Sequence, residues 1–177
     1  MNWLRHVLSG VHTELAQTPI RRTVMDARSG RPGPFRTTPR DLTLVNALKS
    51  DHRKLLEIHA RIGRLMSERR YIDIPGQLIA LRMRLETHVL TENVRLYAFL
   101  EHLFQGDSGR LAELAELRAD TNAVLLAVLK FVKQHRRTTF DESSLFTFAE
   151  TYTQIGALLA RHMAREERDL YRLYPLA

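Results

Sequence analysis

Four stretches of the chain carry apolar residues at alternating spacings of three and four, the period that turns one face of an α-helix toward a core. The first reads Val45, Leu48, His52, Leu55, His59, Ile62 and Met66, and the second Leu78, Leu81, Leu85, His88, Glu92, Leu96, Phe99 and Leu103. The third reads Leu114, Leu117, Thr121, Val124, Val128, Phe131 and His135. The fourth reads Phe148, Tyr152, Ile155, Leu159, His162, Glu166, Leu170 and Leu173. Four helices with one apolar stripe each, joined by short connections, predict an all-α antiparallel up-down-up-down four-helix bundle over residues 41–177.

The punctuation sets the expected boundaries. Thr38-Pro-Arg-Asp41 resembles a capping box with proline at the first helical position, so the first helix is expected to open there. Tyr71 to Gly76 reads as a turn, with Pro75 and Gly76 as breakers, and the second helix as about Gln77 to Phe104. Gln105-Gly-Asp-Ser-Gly109 ends it and offers Asp107 or Ser108 as the next cap. The third helix follows at about 110–137, and Thr139-Phe-Asp-Glu142 reads as a second capping box opening a fourth helix to about Tyr174.

Ahead of the bundle, residues 2–16 have an amphipathic helical pattern with Trp3, Leu4, Val7, Leu8, Val11 and Leu15 on one side. Its role stays open between docking in cis, pairing with a second copy, and binding a partner or membrane surface; His6 and His12 read as surface histidines. From Thr18 to Arg40 the proline and glycine content is that of a connector, so residues 1–40 are expected to be distinct from the bundle. Arg21, Arg22, Arg28, Arg31, Arg36 and Arg40 face a single acid there, Asp26. Such an arm could bind an acidic protein or nucleic acid, and is otherwise a solvated connector.

Composition narrows the chemistry. With 177 residues and no cysteine, the chain is the size of one ordinary domain and has neither disulfides nor thiolate metal sites. The net charge of +7 is carried mostly by arginine, which suits a polyanionic partner and equally a GC-rich coding bias. No apolar run is long enough to span a bilayer and the N-terminus lacks the parts of a signal peptide, so the expected compartment is the cytoplasm. No Ser/His/Asp set, phosphate loop or nucleotide fingerprint points to an enzyme.

The seams also carry groups that do not belong in a core. His88 and Glu92 lie one turn apart on the second stripe, His162 and Glu166 one turn apart on the fourth, and His52 on the first. Burying an imidazole and a carboxylate without partners costs several kcal/mol. In a bundle, inward side chains from different helices converge, which is how carboxylate metal sites are assembled. Imidazole and carboxylate donors suit iron, manganese or zinc. The candidate metal ligands are therefore His52, His88, Glu92, His162 and Glu166. Glu167 is turned about 100° off the seam, His59 and His135 read as structural, and His102 as a boundary residue. Met163 and the tyrosines read as core or boundary filling. Removing His135 is expected to cost neither metal nor stability.

Asp51-His52, His88-x-x-x-Glu92 with Leu96-Tyr97, and His162-x-x-x-Glu166 with Leu170-Tyr171 resemble the first, second and fourth helices of the hemerythrin-like, or HHE cation-binding, family. The resemblance covers roughly residues 41–174 and implies a four-helix bundle holding non-haem iron. The third helix departs from the pattern: Thr121 stands where the family places a histidine, and Leu125 one turn later cannot bind metal. Carried over, one iron position keeps His52, His88, Glu92 and Glu166, and the other keeps only His162 and the shared carboxylates. The resemblance so implies one metal, or a weakened second position, in a sensor or carrier of oxygen, nitric oxide or redox state. Thr121 is expected to face the centre without ligating.

Leu117-x-Ala-x-Thr121 and Ile155-Gly-Ala-Leu-Leu-Ala160 are similar to sigma-factor regulators of the Rsd/AlgQ type, also four-helix bundles. That resemblance implies the alternative function, a metal-free interaction protein regulating transcription, in which the His/Glu groups form a hydrogen-bonded polar layer that fixes helix register.

Overall fold

The computed structural model describes residue 41 and residues 43–175, and the expectations for residues 1–40 lie outside them. Among the described residues every regular element is helical. Helix α1 is Leu44–Ser67. Rod α2 runs as α-helix over Ile74–Thr91, as a π-helical turn over Glu92–Tyr97, and as α-helix again over Ala98–Leu103. Helix α3 is Ser108–His135. Rod α4 is α-helical over Glu142–Arg165, π-helical over Glu166–Leu170 and closed by a 3₁₀ turn at Tyr171–Leu173. Each rod packs on two others, α1 on α2 and α4, and α3 on α2 and α4, which closes the antiparallel four-helix bundle. None of the described helices is long and apolar enough to cross a membrane.

The boundaries differ from the sequence expectation in ways the local chemistry explains. Helix α1 starts at Leu44 because the Asp41 carboxylate accepts hydrogen bonds from the Thr43 backbone N–H (2.9 Å) and hydroxyl (2.6 Å), a local turn that holds Asp41 outside the helix. Pro75 and Gly76 are not breakers. Helix α2 begins at Ile74 with Pro75 in its first turn, where a missing N–H costs nothing, and a 3₁₀ turn at Tyr71–Asp73 leads into it. The reversal before it sits at Arg69, whose φ of 57° is left-handed. Helix α3 is capped by Asp107, which accepts from the Arg110 N–H at 3.0 Å. The last cap is Asp141 with Ser144, not Thr139 with Glu142: Asp141 accepts from the Ser144 N–H at 2.8 Å while the Ser144 hydroxyl takes the Asp141 N–H at 2.8 Å.

The seams of α1 and α3 are buried largely as the spacing predicts, but those of α2 and α4 change phase partway along. A π turn takes one more residue than an α turn, so every later position on the inner face falls one residue on. Leu100 is therefore buried where Phe99 was expected, Leu103 is exposed, and Tyr174 is buried in place of Leu173. Beyond the phase change, an apolar cluster of Leu48, Leu96, Leu100, Leu117, Leu170 and neighbours fills one end. Leu55, Leu81, Leu85, Val128, Phe131 and Phe148 are buried on the other side. A layer of buried polar residues separates the two.

His135 belongs to the apolar end. It is buried against Phe131 and Phe148, with ring centroids 5.2 and 5.0 Å away, and its Nε2 meets the Thr151 hydroxyl at 3.2 Å. Removing it would open a hole in that packing, which argues for a loss of stability where the sequence suggested none.

Candidate metal centre

The polar layer is made of His52 from α1, His88 and Glu92 from α2, Thr121 from α3, and His162 and Glu166 from α4, all buried. One donor atom from each of His52, His88, Glu92 and Glu166 lies within 4.8 Å of the others. The His52 and His88 rings are 4.8 Å apart, and His88 Nε2 is 3.6 Å from Glu92 Oε1. His162 stands at the margin of this group, its Nε2 2.8 Å from Glu166 Oε1. The Thr121 hydroxyl donates to that same oxygen at 2.9 Å, so it faces the centre from the third helix as the pattern predicts.

Two of the histidines have their outer nitrogens engaged. His52 Nδ1 is 2.9 Å from Glu167 Oε1, and His162 Nδ1 is 3.2 Å from Asp120 Oδ2. A ring held by a carboxylate at Nδ1 turns its Nε2 inward, the outer support typical of ligating histidines. Neither carboxylate was singled out for this in the sequence. Glu167 does lie off the seam, and it reaches His52 from there.

Tyr171 is the larger omission. It is not filling: its hydroxyl donates to Glu92 Oε1 at 2.8 Å and lies 3.0 Å from His52 Nε2, with the ring stacked on His52 at 5.4 Å. At a helical period of 3.6, a residue five positions after Glu166 points away from it. In a π turn, where the hydrogen bond runs from i to i+5, the fifth residue returns to the same face. Tyr97 stands in the same relation to Glu92, and its hydroxyl comes within 3.5 Å of the Thr121 hydroxyl. The available signal was the repeated Glu-x-x-x-Leu-Tyr that follows each His-x-x-x.

Burial and the neighbouring groups push the titratable groups of the layer in opposite directions. Burial, and then the Glu166 charge beside it, push the Glu92 carboxyl well above the ordinary carboxylate range. Burial acts on Glu166 in the same sense, but hydrogen bonds from His162 and His52 outweigh it and hold this carboxyl well below that range. Burial first, and the neighbouring His52 second, lower His88 to about 4. Both nitrogens of His88 and Glu92 Oε2 are buried with no hydrogen-bond partner, and Glu166 Oε2 has only the ion-pair contact with His52 Nε2 at 3.2 Å. Orphaned buried atoms of this kind are costly. They are imidazole and carboxylate atoms facing one another, and this donor set fits a divalent first-row cation, which would satisfy the orphaned donors and compensate the carboxylates together.

Inward His/Glu donors from several helices of one bundle define a carboxylate–histidine metal-binding four-helix bundle. The family model of the hemerythrin HHE cation-binding domain matches residues 43–174, and the chain belongs to that family. No match was found among curated proteins, and none among solved structures.

Proposed function

We propose that the chain holds one non-haem metal ion between His52, His88, Glu92 and Glu166, iron by its resemblance to the family and within what imidazole and carboxylate donors suit, with His162 facing the Glu166 carboxylate from the other side. The observation that carries this reading is His88: both ring nitrogens are buried without a hydrogen bond, Nε2 lying 3.6 Å from Glu92 Oε1, in a layer where His52 and His162 are hydrogen-bonded. A polar layer kept only to fix helix register has no use for an imidazole that makes no hydrogen bond, so the metal-free interaction reading is set aside.

Bound iron of this kind supplies a redox-active centre that takes up a small ligand. The protein's own part is positional. Glu167 and Asp120 hold the His52 and His162 rings with Nε2 inward. Tyr171 donates to Glu92 and fixes its carboxylate, while Thr121 does the same for Glu166. Leu48, Leu96 and Leu170, fully buried in the adjoining cluster, keep bulk water from that side. Thr121 occupies the third-helix position without offering a strong donor, which suits a sensor or carrier of oxygen, nitric oxide or redox state with one metal and an open side.

The test is elemental analysis of full-length protein purified without chelator or affinity nickel, alongside His88→Leu. Wild type should carry close to one equivalent of iron and gain thermal stability from it. The variant should lose the metal, while its metal-free form should be no less stable than metal-free wild type, because leucine replaces an unpaired polar ring with an apolar side chain. Metal-free wild type combined with a strongly destabilised variant would defeat the proposal.

A further inference from the structure

The outward face of α2, opposite His88 and Glu92, carries apolar side chains that no other described residue covers. Ile79 is 45% exposed, Met83 61%, Leu90 63% and Val94 62%. Their spacings of four, seven and four form one straight stripe, and the stripe is palindromic: Ile79 and Val94, like Met83 and Leu90, are equidistant from a point between Glu86 and Thr87. Such a sequence is self-complementary when a second identical helix lies antiparallel on it, since isologous contacts pair a position with its mirror.

We infer that the stripe is the contact surface for a second copy of this chain, packed antiparallel about a two-fold axis between Glu86 and Thr87. Ile79 of each copy meets Val94 of the other, and Met83 meets Leu90. The polar groups around the axis suit burial there. Arg82 and Glu86 form an ion pair at 3.0 Å alongside the stripe; the two-fold brings the two Glu86 side by side at the axis, each neutralised by the Arg82 of its own helix, so the four charges balance. The Thr87 and Thr91 hydroxyls are already bonded to the carbonyls of Met83 and Thr87, both at 2.9 Å, so covering them strands no donor. A contact one helix wide falls at the small end of specific interfaces, which implies a reversible dimer at micromolar concentrations.

The experiment is sedimentation equilibrium of the full-length chain, with Leu90→Glu, Glu86→Arg and the double variant R82E/E86R. Wild type should dimerise. Leu90→Glu, with helicity unchanged by circular dichroism, should raise the dissociation constant by more than about tenfold, since it buries two charges against apolar side chains. Glu86→Arg should weaken the dimer by gathering four positive charges at the axis, and R82E/E86R should restore it, because the four charges are then reversed but balanced again. A chain that stays monomeric throughout the concentration range overturns the inference, whatever else covers the stripe. A dimer indifferent to Leu90→Glu overturns it as well, since the contact then lies elsewhere.

Discussion

His59 and Tyr152 lie ring on ring, centroids 4.0 Å apart and 2° from parallel, and each hydrogen-bonds to the other's main-chain carbonyl. The His59 ring donates to the Tyr152 carbonyl at 3.1 Å, and the Tyr152 hydroxyl to the His59 carbonyl at 3.0 Å. Two glycines make room for this. A Cβ on Gly156 would meet the His59 ring at 2.4 Å, and one on Gly63 would meet the Tyr152 hydroxyl at 2.5 Å. Helices α1 and α4 are thus locked by two rings seated over two glycines, two turns from His52 along α1.

Gly156→Ala tests the lock. In an open helix the change stabilises by up to ~1 kcal/mol. Here the methyl group displaces the imidazole, and overpacking costs about 1–3 kcal/mol. A lower denaturation midpoint is therefore expected, with metal content unchanged.

The same histidine gives a pH dependence. Burial lowers its pKa below 6.5, and the hydrogen bond to Tyr152 only partly opposes this. The unfolded chain then takes up the proton first, so this contribution to stability is present above pH ~6.5 and is lost as pH falls toward the folded value. Urea titrations of metal-free wild type and His59→Gln between pH 7 and pH 5 should show a shallower acid loss in the variant; parallel curves would contradict the assignment.

Tyr171→Phe removes one oxygen from the polar layer and leaves the ring. Residues that orient metal ligands typically contribute 10–100-fold in metal affinity. A loss in that range, read by chelator competition with circular dichroism unchanged, is expected. An unchanged affinity would return Tyr171 to the role of filling.

Thr121→His should do the opposite. It places an imidazole beside Glu166 Oε1 and His162, on the side of the layer opposite His52. The expected outcome is a second metal equivalent by elemental analysis. A folded variant with unchanged stoichiometry would show that the second position needs more than one third-helix ligand.

How far the sequence could be read follows from which periods were tested. Val45, Leu48, Leu55 and Ile62 announce α1 because they keep one period throughout, and the seam from Leu114 to His135 does the same for α3. Helix class, order and the polar layer were legible on those terms. Asp41 was legible as a start signal, but its carboxylate bonds two residues on, a local choice that spacing does not encode. Pro75 was misread because its cost depends on which turn it occupies. Glu167 and Asp120 lie off the seams, and only the packed structure shows which nitrogen each one meets. Tyr171 was hidden because the chain changes period at Glu166, and no residue type announces a π turn.

Those two π turns, at Glu92 and at Glu166, have a consequence for how the bundle can be altered. Each rod speaks one hydrophobic register before its glutamate and a second after it. Removing one residue from Glu92–Tyr97 would turn everything beyond it by about 100°, withdrawing Tyr97 and Leu100 from the interior while leaving His88 in place. The bundle is in effect two shorter bundles spliced at the His/Glu layer, and an exchange of segments between relatives should succeed only where the cut on α2 and the cut on α4 fall on the same side of that splice.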